Sequence, residues 1–428
     1  MILLIAPKVV RQYGDAMRGN LHADFGEVAA LFRRQIERTS GGAALAVYHR
    51  GELVVDLWGG VRTEQGPDGE PDPWAHDTVA MCFSTTKGVV TTAVHLLADR
   101  GQLDYDAPVA TYWPEFAQNG KEAVTVRHVL THSAGLHRIR SLVDDAHDML
   151  DWERMCDALA AAPPAYEPGT QHGYHALTYG WLAGELVRRV SGQAIGEFVR
   201  TELAEPLGLE GLTIGIPPAG RGRVAPLEPF RVPRPGWAPV RRVEKEIGKQ
   251  MGKVVSALPL PVNTRRLANA LAPRGVEDVM IGPGIMDAEV PAANGFFGAR
   301  SLGKLYAMLA GRGEVDGVRL LSPETVEAAS TVHGRGFDLV LVLPMDWRLG
   351  YHRVFTSRGT VGSAFGHFGF GGSGAWADPE RDLAVAYVCN RGSGTPIGDF
   401  RIAEVGHEIV RCADRRYASP VAKDRASA

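Results

Sequence analysis

The chain has 428 residues, of which 45% are hydrophobic and 22% are charged, values that are ordinary for a globular protein. Its formal net charge of -3 is close to neutral for this length, and it contains no long run of one charge sign. Nothing in the sequence therefore suggests a nucleic-acid-binding surface. The length predicts one large domain or two closely packed lobes.

The cysteines and the apolar segments indicate a cellular location. Four cysteines are widely spaced and form no Cys-x-x-Cys pair, so we expect reduced thiols and neither a disulfide framework nor a zinc site. The apolar run Ile2–Ala6 lacks the basic segment and cleavage site of a secretory signal. No stretch approaches the ~20 apolar residues of a membrane span. We expect a cytoplasmic protein, with peripheral membrane contact left open.

The first predicted elements are a helix and a hairpin. Phe25–Arg38 has an apolar stripe at helical spacing, and Asp24 with Glu27 resembles a capping box at its start. Ala43–Trp58 contains two apolar runs around Gly51, which predicts a β-hairpin.

Helices dominate the middle of the chain and strands return near its end. Thr85–Ala98 and Thr178–Val190 are predicted helices, and the pattern stays mostly helical to about residue 285. Gly374–Ala377 and Leu383–Cys389 flank a turn and predict a second hairpin. Phe400–Val410 predicts a closing helix.

This order predicts an α+β fold, an antiparallel sheet with an inserted, mostly helical region. We expect a sheet lobe from residues 1–83 plus 286–428, and a helical lobe from 84–285. The stretch 217–261 is rich in Pro and Arg and includes the basic amphipathic segment Arg241–Val255. It is an insertion that could cover a cleft, or equally a solvated loop and helix.

A candidate nucleophile lies where the β-rich segment Thr78–Phe83 meets the helix Thr85–Ala98. Ser84 and Lys87 form a Ser-x-x-Lys tetrad there, and residues three apart share one face of a helix. A serine needs a base to become nucleophilic. Burial and the positive end of the helix both favour a neutral lysine that can accept the proton, and the same helix end favours negative charge on the reacting oxygen.

The tetrad alone is weak evidence, because the sequence contains a second copy. Ser301 and Lys304 have the same spacing. Here we expect Ser301 to cap a helix and Lys304 to be a surface residue of its first turn.

Two further blocks make the first copy recognisable. Leu-Ala-Asp-Arg-Gly occupies 97–101, and Val-Arg-His-Val-Leu-Thr-His-Ser-Ala-Gly-Leu occupies 126–136. Together with Phe-Ser-Thr-Thr-Lys-Gly at 83–88, they resemble the class C β-lactamase-like serine hydrolases, in particular the family VIII carboxylesterases. The resemblance runs from about 25 to 411 and is weakest across 217–280. It implies the serine β-lactamase-like fold, with N- and C-terminal helices flanking the sheet.

The second catalytic element of that superfamily is Tyr-x-Asn or a relative of it. Tyr174 stands at the tyrosine position here, and Ala176 replaces the asparagine. The resemblance implies that Tyr174 handles protons together with Lys87. The loss of the asparagine removes an amide that would hold a β-lactam side chain.

The third element is Lys-Thr-Gly in β-lactamases, and here His367 stands at its first position and Gly369 at its third. Glycines such as Gly369 and Gly371 let a substrate approach a strand edge closely, so His367 and these two glycines are the expected substrate-binding residues. The resemblance implies an oxyanion hole formed by the backbone N–H groups of Ser84 and Phe370.

Taken together, these features predict hydrolysis of small-molecule carboxylic esters, with short acyl groups, through an acyl-Ser84 intermediate and without cofactor or metal. The rival enzymes are a β-lactamase, a D-alanyl peptidase or an acyltransferase that uses the same acyl-enzyme. A non-catalytic binding or sensor module on the same fold is the rival of a different class. The oligomeric state is not predicted. No Gly-x-Ser-x-Gly elbow of an α/β-hydrolase is present.

Overall fold

The structure is a computed structural model that describes residues 9–10, 17–39, 41–66, 68–227, 264–391 and 400–418. Most of the predicted insertion at 217–261, including Arg241–Val255, lies outside these residues. Within the described residues, no helix combines the length and the apolar character that a membrane crossing requires.

The strands have the following bounds in chain order: β1 Val9–Val10, β2 Met17–Leu21, β3 Gly42–His49, β4 Glu52–Thr63, β5 Asp72–Pro73, β6 Val79–Met81, β7 Leu212–Ile214, β8 Val224–Ala225, β9 Gly295–Phe297, β10 Glu314–Val315, β11 Val318–Arg319, β12 Gly334–Phe337, β13 Pro344–Trp347, β14 His352–Thr356, β15 Gly359–Phe368, β16 Gly374–Asp378 and β17 Leu383–Cys389.

The α-helices have the following bounds: α1 Gly26–Arg38, α2 Thr86–Asp99, α3 Val126–Leu130, α4 Trp152–Ala161, α5 Thr178–Ser191, α6 Ile195–Phe198, α7 Glu205–Leu207, α8 Thr264–Leu271, α9 Val276–Ile281, α10 Gly284–Asp287, α11 Ala299–Ala310, α12 Pro323–Ser330 and α13 Phe400–Ala418. Short 3-10 turns complete the described helices, at Ala23–Phe25, Phe83–Thr85, Val109–Thr111, Pro114–Phe116, Ile139–Ser141, Ala146–Leu150 and Pro218–Arg223, with a π-helix at Val199–Ala204.

One large antiparallel sheet organises the described chain. Its strand order is β1-β2-β4-β3-β17-β16-β15-β14-β13-β12, and β5 pairs with the far end of β4. The first and last parts of the chain therefore meet at the β3–β17 pair in the middle of the sheet. Both predicted hairpins, β3–β4 and β16–β17, are confirmed, and so is the α+β class. A second sheet, β7-β9-β6-β8, contains the parallel pair β6–β8, which the sequence did not predict.

Helices cover both faces of the large sheet. On β3 the side chains of Leu45 and Val47 face the core that α1 and α13 close, whereas Ala44 and Ala46 face the core that includes α11. The alanines leave room for a close helix: a Cβ added to Gly303 of α11 would lie 3.2 Å from the Ala46 Cβ. The alternation of large and small residues along β3 thus fixes which helices each face accepts.

Two local predictions were wrong, the cap of α1 and the end of the closing helix. Asp24 does not cap α1: it lies in a 3-10 turn, where its N–H donates to His22 Nδ1 at 3.3 Å. Glu27 instead pairs with Arg415 of α13 at 2.9 Å. The closing helix also continues past the predicted Val410. The division into two lobes stays a prediction.

The second Ser-x-x-Lys copy also differs from its prediction. Gly298, and not Ser301, occupies the N-cap position of α11. The Ser301 side chain is buried and donates a hydrogen bond to the Glu210 carbonyl oxygen at 3.0 Å. Lys304 forms an ion pair with Asp316 at 2.8 Å.

Candidate active site

The turn that carries Ser84 joins β6 to α2. Cys82 ties its start to Gly295, whose carbonyl accepts the Cys82 N–H at 2.8 Å. Phe83 has a φ of 45°, in the left-handed region that residues other than glycine seldom adopt. Its ring packs edge-on against Phe370, with centroids 5.5 Å apart. Ser84 is half-buried in the 3-10 turn Phe83–Thr85, two residues before the first residue of α2.

Lys87 is the buried partner of Ser84. Its Nζ lies 2.9 Å from Ser84 Oγ and donates to the Ala292 carbonyl oxygen at 3.1 Å. The side chain has no exposed surface, and this desolvation lowers the pKa of Lys87 well below its usual value. A neutral Lys87 amine keeps a lone pair that can accept the Ser84 proton.

Tyr174 lies against the same pair of residues. Burial raises the pKa of its phenol, while a hydrogen bond with Ser84 lowers this pKa by a smaller amount. The centre of the Tyr174 ring is 5.0 Å from Lys87 Nζ. The Trp347 ring is stacked on Tyr174 at 5.7 Å with an interplanar angle of 8°. The structure therefore brings Ser84, Lys87 and Tyr174 together, with the phenol protonated at neutral pH.

The turn between β15 and β16 packs directly on the Ser84 turn. A Cβ added to Gly369 would lie 2.3 Å from the Cys82 carbonyl oxygen, so only glycine fits here. Thr85 Oγ1 donates to the Ser373 carbonyl oxygen at 3.1 Å. Gly371 has a φ of 86°, and the turn closes with the Gly369 N–H on the Ser373 carbonyl at 2.7 Å. Gly369, Phe370 and Gly371 thus lie on one turn beside the nucleophile.

His367 lies at the end of β15 but is not a cation. Its side chain is buried, and Nδ1 donates to the Phe368 carbonyl oxygen at 3.1 Å. Desolvation by burial lowers the pKa of His367 well below its usual value. Its ring stacks on Tyr174 at 6.1 Å. The imidazole is therefore neutral where β-lactamases have a lysine.

His352 is a residue of this site that the sequence analysis did not single out. Its Nε2 accepts the Phe368 N–H at 3.0 Å, and Nδ1 donates to the Arg353 carbonyl oxygen at 2.8 Å. Burial lowers the pKa of His352 to about 4. The His352 side chain thus takes the place of a backbone acceptor for β15, next to the register shift between Arg353 and Val354. It thereby fixes the end of β15 from which Gly369 continues.

Asp338 was also missed. Its Oδ1 accepts three backbone N–H groups, from Tyr174 at 3.2 Å, Val340 at 2.9 Å and Leu341 at 2.8 Å. The carboxyl group is fully buried, and desolvation raises its pKa. Its Oδ2 has no partner among the described residues. The available signal was a single acid inside the apolar run Phe337–Met345.

A cavity of about 200 Å³ adjoins these residues. Four of its lining residues, Tyr174, His352, His367 and Phe368, are described above, and the others come from the segment 341–355, which runs through β13 and β14. Its full lining is Tyr174, Leu341, Leu343, Pro344, Met345, Trp347, His352, Arg353, Phe355, His367 and Phe368.

Among the described residues, one cluster has the donor types of a metal site: Glu27, Glu408 and Cys412. Arg415 binds Glu27 at 2.9 Å and Arg411 binds Glu408 at 2.6 Å, so these carboxylates already have cationic partners. The cluster lies on α1 and α13 and not on the elements of the site.

Comparison with known proteins agrees with this arrangement. The sequence model of the Beta-lactamase family matches residues 28–406. The esterase/beta-lactamase LipL of Mycobacterium tuberculosis is 40% identical over 363 residues, which are 83% of this chain and 78% of that protein.

Two solved structures are similar over nearly their whole length. A family VIII carboxylesterase superposes with a TM-score of 0.80 at 33% identity, over 92% of this chain and 99% of that one. A penicillin-binding protein homologue from Caulobacter crescentus gives a TM-score of 0.75 at 36% identity, over 91% and 99% of the two chains. The resemblance inferred from the motifs is confirmed, and the chain belongs to the beta-lactamase family.

Proposed function

We propose that this protein is a serine hydrolase that cleaves carboxylic esters through an acyl-Ser84 intermediate. One observation carries the proposal: a desolvated lysine with a lowered pKa lies 2.9 Å from a serine hydroxyl at a helix N-terminus. A lysine whose pKa is lowered in this way gives up its proton more readily, which matches the role of a general base. Similarity to an esterase/beta-lactamase and to a family VIII carboxylesterase supports the same choice.

The first chemical step follows from these positions. Ser84 Oγ attacks the ester carbonyl carbon while its proton passes to Lys87 Nζ. The backbone N–H groups of Ser84 and Phe370 then hold the negative oxygen. When the bond between the acyl carbon and the alkoxide oxygen breaks, Tyr174 gives its phenolic proton to the alkoxide, and Lys87 returns the first proton to Tyr174. Water attacks the acyl-enzyme by the reverse route and needs no cofactor.

Two features favour esters over β-lactams. His367 is neutral, so it offers no fixed cation to a β-lactam carboxylate. Ala176 is buried and has no amide for an acylamino side chain. The loss of a charge-assisted contact costs about 1.5–3 kcal/mol, which is roughly one to two decades in kcat/KM. A small neutral ester needs neither contact.

The test uses purified protein with three reagents. A serine-directed organophosphonate is expected to label Ser84, located by peptide mass mapping, and to abolish hydrolysis of a short p-nitrophenyl ester. The kcat/KM for that ester should exceed the value for a chromogenic cephalosporin by at least about 100-fold.

Each rival function gives a different result in this test. Comparable values for the two substrates would restore the β-lactamase or D-alanyl peptidase alternative. A dominant transfer of the acyl group to an added alcohol would indicate an acyltransferase. A binding or sensor module would give neither a burst nor turnover. The expected cytoplasmic location stays a prediction.

A further inference from the structure

The cavity lies beside Tyr174, next to the position of the leaving group in the proposed reaction. An alkoxide leaving group must lie within hydrogen-bonding reach of the group that protonates it. The Tyr174 phenol is that donor in the proposed reaction, because burial keeps it protonated and it contacts Ser84. Because Tyr174 also lines the cavity, the cavity is the space beside this donor that a substituent on the alkoxide oxygen can enter.

The charge of the cavity lining excludes anionic groups. His352 and His367 are neutral, since burial lowers the pKa of each. Arg353 contributes the one arginine of the lining, and it already binds Asp346 at 3.2 Å and the Pro344 carbonyl oxygen at 3.1 Å. An anion entering the cavity would lose its hydration without gaining a new cationic partner.

The size and walls of the cavity favour a ring. An apolar protein cavity of about 150 Å³ is large enough to bind benzene, and this cavity measures about 200 Å³. Aromatic side chains of Tyr174, Trp347, Phe355 and Phe368 line it. Such walls give edge-to-face and stacked contacts to a bound ring.

We propose that this cavity holds the alcohol part of the substrate and selects uncharged alcohols with a single apolar ring over small alkyl alcohols. The inference rests on the proposed ester hydrolysis and names the substrate class of that site. It also assigns the acyl part to the opposite side of Ser84, outside the cavity.

The experiment compares benzyl acetate with ethyl acetate, each rate divided by the rate of hydroxide hydrolysis. The wild-type kcat/KM is expected to favour the benzyl ester by at least about tenfold, because the ring fills an apolar pocket. Hydrolysis of the acetyl-enzyme, measured in a single turnover, should be equal for both esters, because the intermediate is the same.

A cavity-filling variant tests where the alcohol binds. In Met345→Trp the indole would occupy the cavity, so the benzyl-to-ethyl ratio should fall by about tenfold. The ratio of ethyl butyrate to ethyl acetate, which varies only the acyl group, should change less than about twofold. Ile281 is 72% exposed and does not line the cavity, so Ile281→Trp is the control that should leave both ratios unchanged.

If Met345→Trp does not fold, Met345→Ala provides the reverse test. The enlarged cavity should then raise the rate for naphthylmethyl acetate relative to benzyl acetate. The assignment would be overturned if the wild-type enzyme showed no preference for the benzyl ester. It would also be overturned if a Met345 variant changed the ratio of ethyl butyrate to ethyl acetate and not the ratio of benzyl to ethyl acetate. Failure of the proposed function is distinguishable, because then no acetate ester would acylate Ser84 at all.

Discussion

The two Ser-x-x-Lys copies have the same spacing but opposite surroundings. Lys87 is fully buried next to Ser84 and has a lowered pKa. Lys304 is half-buried and forms an ion pair with Asp316 at 2.8 Å. Ser301 donates to the Glu210 carbonyl oxygen at 3.0 Å, whereas Ser84 lies beside Lys87 and Tyr174.

This difference shows that the Ser-x-x-Lys spacing does not by itself determine the chemistry of the two residues. A shared helix face brings serine and lysine close in either copy, but only burial without a carboxylate partner favours the neutral amine that a base requires. Lys304 has such a partner in Asp316, 2.8 Å away. The chemistry of a tetrad therefore depends on the elements packed around it.

The largest expected effect separates the two serines. Ser84→Ala removes the nucleophile and should lower kcat for a p-nitrophenyl ester by about 10⁴- to 10⁶-fold. Ser301→Ala, the matched control, removes one hydrogen bond to a carbonyl and should keep kcat within about twofold. Steady-state assays of both variants at equal folded concentration measure this. Equal losses in the two variants would contradict the assignment of Ser84.

The next effect tests whether Lys87 and Tyr174 act as one unit. Lys87→Met and Tyr174→Phe should each lower kcat by about 10²- to 10⁴-fold. The double variant should be about as impaired as the worse single variant, because each residue needs the other to move the proton. The kcat values of the wild type, the two single variants and the double variant test whether the residues act together. A double variant whose loss equals the product of the single losses would argue for independent roles.

The burial that lowers the pKa of Lys87 also lowers the pKa values of buried histidines, and this makes the fold sensitive to acid. Burial lowers the pKa values of His49, His95 and His352 to about 4 each. In the unfolded chain a histidine titrates at about pH 6.5, so between pH 6.5 and 4 the unfolded state binds protons that the native state does not. Stability is therefore full above pH 6.5 and falls as the pH decreases toward 4.

The size of this acid effect can be measured by urea unfolding at pH 7.5 and 5.0. At pH 5 each of the three histidines should cost about 2 kcal/mol. Their sum approaches the total stability of an ordinary domain. An unfolding free energy that is equal at the two pH values would show that these side chains are protonated in the native state.

A smaller effect is expected at Asp338, which we infer to be a positioning residue for Tyr174. Asp338→Ala leaves three backbone N–H groups, including that of Tyr174, without their acceptor. We expect kcat to fall about tenfold with little change in KM for ethyl acetate, and Asp338→Asn, which keeps an oxygen acceptor, to restore most of it. A lowered melting temperature with unchanged kcat in Asp338→Ala would indicate a purely structural role.

Local pattern predicted the residues whose arrangement is itself local. Ser84 and Lys87 are neighbours on one helical turn, and the alternating residues of β3 determine its two faces. The family resemblance supplied Tyr174. These parts of the site could be predicted because short segments determine them.

The missed residues depend on long-range register. His352 accepts the Phe368 N–H across the β14–β15 pair, next to a shift of register. Asp338 reaches Tyr174 across 164 positions of sequence. Ser301 was mispredicted as a helix cap for the same reason, since a distant carbonyl offers its hydroxyl a better partner than the helix end does.

The smallest effect completes the comparison of the two lysines. Lys304→Met removes an ion pair between side chains that are 24% and 58% exposed. Exposed pairs contribute about 0.2–1 kcal/mol, so the unfolding free energy should change by less than about 1 kcal/mol, and the difference should shrink in high salt. Esterase kcat should stay within about twofold of wild type, against the loss of about 10²- to 10⁴-fold expected for Lys87→Met. If Lys304→Met also abolished activity, burial of the first tetrad would no longer explain why Lys87 is the base.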